Sequence, residues 1–398
     1  MNSEGERRDA AQDADLESWD LFCRVIDNYG DIGVAWRLAR QLASDARRSV
    51  RLWIDDLAAF ARIEPRIDRD AQRQHIDAIE VSRWSPYGSA GIEPADAVIE
   101  LFGCGLPQAY VDAMAHEVEQ AGHQPPVWID LEYLSAEAWV DDFHRLPSPH
   151  PTLPLVKYFF YPGFREESGG LPIEAGLEDR RRAFIEDGEQ VEAFWRRLRV
   201  HLPIAGEMRV SLFVYSSAPF EPLFQAMSED RDRRWSVVVP EGVLSAETGT
   251  GLDIEERGSL SIITIPFVDQ DDFDRLLWSC DINFVRGEDS FVRAQWAARP
   301  FVWHIYPQAD DAHMKKLDAF EERYEAGLPQ AARDAQQALW QAWNTQGPDF
   351  TYAWARWCDQ LPELSAHAQV WRQSLASQPG LVDSLAAFVA ERRGALLK

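Results

Sequence analysis

Short apolar runs that end in polar loops and alternate with helical patterns most constrain the fold of this chain. In the first half these runs are Leu21–Ile26, Val50–Ile54, Ala97–Phe102 and Val127–Leu131. Short, continuous apolar runs of this kind are typical of parallel strands that are buried on both faces. The alternation predicts a doubly wound α/β sheet with functional loops at the carboxyl ends of its strands.

The second half of the chain repeats this alternation. Strands are predicted at Val210–Tyr215, Trp235–Val239, Ile262–Phe267, Ile282–Val285 and Phe301–Ile305. Short helices are predicted at Asp271–Trp278 and Phe291–Ala298, and the tail after Ala309 has mostly helical patterns. Two similar α/β halves with a helical C-terminus predict a two-domain enzyme with a central cleft.

Prolines mark the expected domain boundary. Five of them lie between Leu146 and Pro162, and proline interrupts both helix interiors and sheet ladders. We therefore expect this stretch, with Gly163–Gly170, to connect the two domains. The expected organisation is a disordered tail at 1–18, a first Rossmann-like domain at 19–165, a second at 166–370 and a C-terminal helix at 371–398.

Composition limits the partners and the location of the protein. The 398 residues include 66 acidic and 40 basic ones, so the formal net charge is −26. Such a charge disfavours nucleic acid and anionic membranes as general partners. There is no apolar run long enough for a transmembrane helix and no signal-peptide pattern, so we expect a cytoplasmic protein. The four cysteines form no C-x-x-C pair, which predicts buried thiols rather than a disulfide framework or a zinc site.

The first cluster of chemistry-bearing residues is Asp27, Asn28, Tyr29, Gly30 and Asp31, between a predicted strand and a predicted helix. A glycine here permits a tight turn, and helix-start amides can receive an anion or a sugar hydroxyl. The two carboxylates can hold a cation, or one can act as a general base. The structural alternative is that the first aspartate ends a strand and the second caps a helix. The spacing is not the G-x-G-x-x-G fingerprint, so a dinucleotide cofactor is not indicated.

The second cluster is Arg286, Gly287, Glu288, Asp289 and Ser290, directly after a predicted buried strand. The arginine can pair with a diphosphate, and the serine and helix-start amides can complete an anion site. The glutamate can accept hydrogen bonds from sugar hydroxyls. The alternative is a solvated loop with an internal Arg–Glu ion pair.

The third cluster is Phe267, Val268, Asp269 and Gln270, where another strand gives way to a helix. The phenylalanine ring can stack on a nucleobase while nearby backbone groups read the edge of the base. Tyr215, at the end of a further strand, is a similar candidate. For both aromatic residues the alternative is an ordinary core or rim position.

Four long motifs resemble one family along nearly the whole chain. They are FCRVIDNYGDIGVAWRLARQLA from Phe22, WIDLEYLSAE from Trp128, IPFVDQDDFDRLLWSCDINFVRGEDSFVRAQWA from Ile265 and PFVWHIYPQ from Pro300. The order and length of these motifs identify the chain as similar to the EarP family, the elongation factor P arginine rhamnosyltransferases. The tail before about Ser18 lies outside the resemblance.

The resemblance implies a GT-B glycosyltransferase fold, in which two Rossmann-like domains face a cleft and the final helix returns to the first domain. It also implies an inverting transfer of rhamnose from dTDP-β-L-rhamnose to an arginine of elongation factor P, which supports translation through polyproline stretches. The expected partners are therefore a protein acceptor and a nucleotide-sugar donor, with no nucleic acid and no membrane. We expect no cofactor and no metal, because Arg286 and helix-start amides can stabilise the departing diphosphate without one.

Residue roles follow from matching this sequence to the family motifs. Asp31 is the expected general base, with Asp27 assisting, and Glu288 is a further catalytic or donor-orienting acid. The residues expected to border the sugar are Asn28, Tyr29, Gly30 and Asp31, and those expected to hold the dTDP part are Tyr215, Val268 to Gln270 and Arg286 to Ser290. Tyr29 stands where many members have phenylalanine, so the aromatic ring is retained.

Two alternative functions remain open at this point. One is a GT-B transferase that uses another nucleotide sugar or a small-molecule acceptor. The other is a non-catalytic protein that binds elongation factor P.

Overall fold

A computed structural model describes residues 17–27, 29–85, 92–119, 124–244, 254–308, 311–347 and 349–395. The predicted disordered tail falls outside these residues up to position 16, as does the predicted site residue Asn28. The last two positions of the predicted tail, Glu17 and Ser18, instead begin the first strand.

The chain forms two compact units. Unit 1 comprises the residues up to Ala175 together with those from Gln378 onward, and unit 2 runs from Gly176 to Ser377. The boundaries predicted from the sequence, after residues 165 and 370, lie ten and seven residues earlier. One reason is that Gly163 and Gly170 are joined by a backbone hydrogen bond of 3.2 Å within unit 1, which extends the unit past the last strand.

Unit 1 is built on an eight-stranded sheet. Its elements are β1 (Glu17–Cys23), α1 (Gly30–Ala43), β2 (Arg48–Ile54), α2 (Leu57–Ile63), β3 (Arg73–Ile76), β4 (Ile79–Arg83), β5 (Ala97–Leu101), α3 (Gln108–Glu119), β6 (Val127–Leu131), α4 (Trp139–Phe143), β7 (Pro147–Pro149) and β8 (Val156–Phe160). The helix α14 (Leu381–Ala395) completes this unit and contacts α1 and β6. The strand order is β3-β4-β2-β1-β5-β6-β8-β7.

The parallel strands of this sheet have the doubly wound order. β2 pairs with β1 and β4, β5 with β1 and β6, and β8 with β6, all in parallel. Counting the parallel strands along the chain therefore gives the order 3-2-1-4-5-6. In this order the winding direction reverses between the first and fourth strands, and ligands bind at the carboxyl ends of those strands. For unit 1 this switch point lies between β1 and β5.

The expected interdomain connection at Leu146–Pro162 is wrong. This stretch contains β7 and β8, and β8 pairs with the central strand β6. Two of its prolines, Pro147 and Pro149, are compatible with a sheet because they lie in β7, which among the described residues is an edge strand paired with β8. A proline that faces away from a neighbouring strand removes no ladder hydrogen bond.

Unit 2 is built on a six-stranded sheet with order β11-β12-β10-β9-β13-β14. Its elements are α5 (Leu177–Glu186), α6 (Gly188–Arg197), β9 (Glu207–Leu212), α7 (Phe220–Ser228), β10 (Arg234–Pro240), β11 (Ile254–Arg257), β12 (Leu260–Ile265), α8 (Gln270–Ser279), β13 (Ile282–Arg286), α9 (Asp289–Ala297) and β14 (Phe301–His304). The helices α10 (Ala312–Tyr324), α11 (Gln330–Thr345), α12 (Phe350–Asp359) and α13 (Leu361–Ala376) follow, as the sequence predicted for the tail.

The second sheet has its own switch point, between β9 and β13. Both strands are parallel to each other and to their outer neighbours β10 and β14. The strand predicted at Val210–Tyr215 ends earlier, at Leu212, so Phe213 to Tyr215 lie in the loop beyond it. The same holds for β12, which ends at Ile265 and leaves Phe267 in a loop. Apolar residues therefore continue past these strand ends and line the switch-point edge.

The apolar face predicted for α1 lies in the core of unit 1. Val34, Leu38 and Leu42 on α1 are buried, as their spacing predicted.

The C-terminal segment expected at 371–398 is divided, because Trp371 donates a hydrogen bond to Gln295 of unit 2 and only α14 belongs to unit 1. All four cysteines are buried, and none forms a disulfide. None of the described helices combines the length and apolar character needed to cross a membrane.

Candidate functional site

The switch-point loop of unit 1 is folded around the Asp31 carboxylate. Asp31 lies in the first turn of α1 and is 3% exposed. Its Oδ2 accepts hydrogen bonds from the backbone N–H groups of Ile26 and Asp27, each at 2.8 Å. The carboxylate therefore points back to the loop instead of capping its own helix, and the capping alternative is wrong. Burial raises the pKa of Asp31; the two backbone hydrogen bonds oppose this effect, and the charge of the Asp27 carboxylate adds a smaller increase.

Asp27 and Gly30 lie against each other in the same loop. The Gly30 N–H donates to the Asp27 carbonyl at 2.6 Å. A Cβ atom added to Gly30 would lie 2.7 Å from Asp27 Oδ2, closer than real Cβ contacts. The glycine therefore leaves room for the half-buried Asp27 carboxylate beside the helix start. Tyr29 precedes this glycine, and Arg62 lies 6.0 Å from the centre of its ring.

Tyr133 is a site residue that the sequence analysis did not select. Its hydroxyl lies 3.3 Å from Asp31 Oδ1 and donates a hydrogen bond to it, which lowers the pKa of that carboxyl against the larger effect of burial. Its ring stacks on Phe102 with 4.3 Å between centroids. Phe102 is the last residue of one predicted strand and Tyr133 lies two residues after the end of another, so both are at strand ends, where functional loops were expected.

Phe102 is held in an unusual backbone conformation at the switch point. Its φ is 57°, which is uncommon for a bulky side chain. The turn after it is fixed by two buried carboxylates, because Gly105 N–H donates to Glu100 at 2.7 Å and Gly103 N–H to Asp130 at 3.2 Å. Lys157 Nζ lies 2.6 Å from Asp130 and 3.5 Å from Glu100. This ion network supports the ring that stacks on Tyr133.

At the switch point of unit 2, Arg286 is held between two aromatic rings. Its guanidinium carbon lies 4.6 Å from the ring centre of Phe213 and 4.8 Å from that of Tyr215. Its Nη1 donates to the Val214 carbonyl at 3.3 Å. The rings fix the plane of the guanidinium, which suits bidentate recognition of a phosphate or carboxylate. Phe213 was expected inside a strand, so its place beside Arg286 was not predicted.

His304 supports the same cluster from the end of β14. Its Nδ1 accepts a hydrogen bond from the Tyr215 N–H at 3.3 Å, and the two rings are 5.3 Å apart. Burial and the neighbouring Arg286 lower the pKa of His304 to about 4. The imidazole is therefore neutral near pH 7, so it adds no charge beside the arginine.

The predicted turn Arg286–Ser290 forms a compact bend between β13 and α9. Ser290 is buried, its Oγ accepts from the Arg286 N–H at 3.0 Å, and its hydroxyl donates to the Arg286 carbonyl. Gly287 has φ 57°, and its carbonyl accepts from Trp303 Nε1 at 2.8 Å. Glu288 is the residue that precedes the first turn of α9 and is half-buried. The bend thus places the helix start and the glutamate beside the arginine.

The predicted cluster at Phe267–Gln270 joins this site. The Phe267 ring lies 6.5 Å from Phe213. Gln270 Nε2 donates to Asp289 Oδ2 at 3.4 Å, which links the start of α8 to the start of α9. Asp269 caps α8 by accepting from the Asp272 N–H at 2.8 Å, and burial raises its pKa. Val268, between these residues, is half-buried.

The histidines near this site accept hydrogen bonds and belong to no group arranged to hold a metal ion among the described residues. Among the residues that the structure describes, no group of three His, Cys, Asp or Glu side chains is arranged to hold a metal ion. His304 and the nearby His313 each accept a hydrogen bond from a backbone N–H through Nδ1. These two ring nitrogens are therefore occupied by hydrogen bonds to the backbone.

Comparisons with known proteins identify the family. Residues 19–390 match the family model described as Elongation-Factor P (EF-P) rhamnosyltransferase EarP. A protein-arginine rhamnosyltransferase of Pseudomonas putida is 46% identical over 379 residues, which cover 93% of this chain and 98% of that protein.

Solved structures agree with this result. One that concerns EarP-mediated arginine glycosylation of translation elongation factor EF-P is 35% identical, with a TM-score of 0.65, and the match covers 94% of this chain and 99% of that one. A spinosyn rhamnosyltransferase in complex with thymidine diphosphate is 9% identical, with a TM-score of 0.50 over 94% of this chain and 100% of that one, and shows the fold alone. The predicted GT-B fold class of two Rossmann-like units is confirmed. The chain therefore belongs to the EarP family of elongation factor P rhamnosyltransferases, and it is a glycosyltransferase that acts on protein arginine.

Proposed function

We propose that this enzyme transfers rhamnose from dTDP-β-L-rhamnose to one arginine of elongation factor P, with inversion at the anomeric carbon and without a metal ion. The observation that carries the proposal is the pair of carboxylates at the switch point of unit 1, Asp27 and Asp31. A guanidinium acceptor is cationic and a poor nucleophile, and carboxylates are the groups that align it and accept its proton. The acceptor protein and the donor are those that the family resemblance implies.

In the proposed mechanism Asp31 Oδ1 takes the proton. Asp31 Oδ2 is already held by two backbone N–H groups, whereas Oδ1 accepts, among the described residues, one hydrogen bond of 3.3 Å from Tyr133. The raised pKa makes Asp31 a stronger base than an ordinary aspartate. Asp27 pairs with the guanidinium while its nitrogen attacks the anomeric carbon and the bond to the diphosphate breaks. Attack on the face opposite the leaving group inverts that carbon.

Arg286 is proposed to hold the departing diphosphate. Its guanidinium is fixed by Phe213 and Tyr215, so it does not need to reorganise as negative charge develops on the leaving group. The N–H groups at the start of α9 add donors to the same anion, and Ser290, whose hydroxyl donates to the Arg286 carbonyl, holds the bend that places them. Phe267 is proposed to stack on the base, Gln270 and its neighbours to bind the nucleoside, and Glu288 to orient the sugar.

Incubation of the enzyme with elongation factor P and dTDP-β-L-rhamnose tests the proposal directly. We expect intact-mass analysis to show the gain of one deoxyhexose, located on an arginine by fragmentation, and NMR of the product to show the inverted anomer. Transfer from a UDP- or GDP-sugar in preference, or to a small molecule only, would support the other transferase function. Binding of elongation factor P with no transfer from any competent donor would support the non-catalytic alternative.

The substitution Gly30→Ala tests whether the position of the Asp27 carboxylate matters. The new Cβ would displace Asp27 Oδ2, which lies 2.7 Å away, so we expect transfer to slow by about tenfold to a hundredfold. The free energy of unfolding should change by no more than about 1 kcal/mol, because alanine favours helix more than glycine. Gly188→Ala is the matched control, since Gly188 also begins a helix and has nothing within 4 Å of its added Cβ. Equal transfer rates for the two variants would contradict the role of Asp27.

The substitution Tyr133→Phe tests the hydrogen bond to Asp31. It keeps the stack on Phe102 and removes the hydroxyl. Because the hydrogen bond from this hydroxyl lowers the pKa of Asp31, its loss should raise that pKa. We therefore expect the acid side of the pH–rate profile to move to higher pH. We also expect the transfer rate to fall by about twofold to tenfold, which corresponds to the free energy that one hydrogen bond contributes. A profile that does not move would show that Tyr133 has only a packing role.

A further inference from the structure

An acidic pocket lies between the helices α10 and α11 of unit 2, on elements that do not carry the candidate site. It has a volume of about 720 Å³, within the range of small-molecule sites. Its charged lining residues are Asp318, Glu321, Glu322, Glu325, Arg333 and Asp334. Five carboxyl groups therefore face one guanidinium in this pocket.

Two of these carboxyl groups are buried, and each has one oxygen that lacks a hydrogen-bond donor among the described residues. Glu321 is 7% exposed and Glu325 is 3% exposed. In each residue, Oε1 is enclosed and accepts no hydrogen bond from the described part of the chain. Glu325 Oε2 accepts a hydrogen bond from Gln337 Nε2 at 2.7 Å. A buried carboxyl oxygen that lacks a donor costs free energy, so the arrangement is incomplete as it stands.

The placement of these residues on α10 also opposes stability. Asp318 and Glu322 are four residues apart on the helix, and Glu325 lies four residues after Glu321 just beyond its end, spacings at which like charges repel. Glu321 and Glu322 lie in the last turn, and Glu325 follows it, where the negative end of the helix dipole disfavours anions. Arg333 offsets this charge only in part: it lowers the pKa of Glu325, but its Nη2 donates to the Leu328 carbonyl and its Nε has no partner in the described residues.

We propose that this pocket binds one organic cation that carries N–H donors, of the guanidinium or alkylammonium type. Such a group would donate to the unpartnered Oε1 atoms of Glu321 and Glu325 and compensate the repulsion along α10. Guanidinium and ammonium groups suit this pocket because they supply several N–H donors together with positive charge. Either a free small molecule or a basic side chain of a protein partner can supply this chemistry.

Proton release gives the proposal a specific signature. Burial and neighbouring carboxylates raise the pKa of Glu321 to about 9, and burial raises that of Glu325 to about 7. A cation favours the ionised form of both, so binding near pH 7 should release protons. The other titratable groups that line the pocket are Asp318 and Glu322 from α10 and Arg333 and Asp334 from α11. From α13, His367 hydrogen-bonds to the carbonyl of Tyr324, the residue before Glu325.

Calorimetric titration of the whole enzyme with methylguanidinium and with n-butylammonium tests the proposal. We expect saturable binding whose heat differs between phosphate and Tris buffers, because the released protons are taken up by the buffer. The double variant Glu321→Gln/Glu325→Gln should bind at least tenfold more weakly and show no buffer dependence. Asp359→Asn/Glu363→Gln is the matched control, since it removes two exposed carboxylates from the same unit. Absence of saturable binding by the wild type, or equal binding by both double variants, would overturn the proposal.

Two further measurements keep the result interpretable. The thermal midpoint of Glu321→Gln/Glu325→Gln should equal or exceed that of the wild type, because the substitutions remove buried carboxyls. With elongation factor P as acceptor, a higher KM of this variant at unchanged kcat would show that the pocket takes a basic side chain of the acceptor. Unchanged kinetics together with lost probe binding would show that the pocket takes a free cation. The calorimetry does not depend on transfer activity, so it can fail or succeed independently of the proposed function.

Discussion

Replacing Asp31 by asparagine is expected to lower kcat for arginine rhamnosylation by about a thousandfold, within the range that a general base contributes. The asparagine Oδ1 can still accept the two N–H groups of Ile26 and Asp27 that Asp31 Oδ2 accepts at 2.8 Å. The loop should therefore keep its shape while the base is lost. Single-turnover transfer to elongation factor P, with calorimetric affinity for dTDP-rhamnose measured in parallel, checks this. The donor affinity should remain close to that of the wild type.

The matched control for this variant is Asp56→Asn. Asp56 also follows a strand of the same sheet, but its side chain only caps α2, through the N–H groups of Ala58 and Ala59 at 2.9 Å. We expect it to change the free energy of unfolding by no more than about 0.5 kcal/mol, because asparagine caps a helix about as well as aspartate, and to leave the transfer rate within about twofold. If Asp31→Asn transferred at a near-normal rate while Asp27→Asn did not, Asp27 would be the base and Asp31 a residue that shapes the loop.

The pH dependence of transfer follows from the same carboxyl. A base must be ionised, and burial raises the pKa of Asp31. Activity should therefore be complete above that raised pKa and fall as the pH is lowered through it. The acid limb should lie above the ordinary aspartate range and disappear in Asp31→Asn. An acid limb that persists unchanged in this variant would assign it to another group.

Replacing Arg286 by alanine is expected to weaken binding of dTDP-rhamnose by about tenfold to a hundredfold, since hydrogen bonds to a charged group contribute about 1.5–3 kcal/mol. In the wild type the guanidinium lies against the rings of Phe213 and Tyr215 and is thereby oriented before any anion binds. Calorimetric titration with dTDP and with dTDP-rhamnose measures the loss. Both ligands should lose affinity together, because they share the diphosphate.

One further variant separates the charge of Arg286 from the geometry of its guanidinium, and another serves as a control. Arg286→Lys keeps the charge but not the planar fork, so it should recover only part of the affinity. Arg182→Ala removes an exposed arginine that pairs with Asp179 on α5 of the same unit, and it should leave donor binding unchanged. Donor affinity that is unaffected by Arg286→Ala would remove the diphosphate role.

Much of the fold was visible in the sequence because buried parallel strands leave a local pattern. The run Val127–Leu131 coincides with β6, and the helical spacing after Asp31 coincides with α1. The predicted end of β9 was wrong by three residues, since apolar residues such as Phe213 continue into the switch-point loop. The stretch Leu146–Pro162 was assigned wrongly because a proline-rich sequence does not reveal that its strand lies at the edge of a sheet.

The candidate site was predictable to a similar degree. Polar residues that directly follow apolar runs mark the loops at strand ends, and this local signal selected Asp27, Asp31 and Arg286. It did not select Tyr133 or His304, because their roles depend on contacts with residues 102 and 89 positions away.

The sequence by itself thus determined the class of fold, the family and the loops that carry the chemistry, since each depends on short segments read in order. Only the tertiary structure decided that β1 lies beside β5 and β9 beside β13, which sets where each sheet reverses its winding. It also decided that Asp31 turns back to hold its own loop and that Arg286 is stacked between two rings. The physical reason is that these features depend on burial and on hydrogen bonds between segments that are far apart in the sequence. The residues of one segment alone therefore do not determine them.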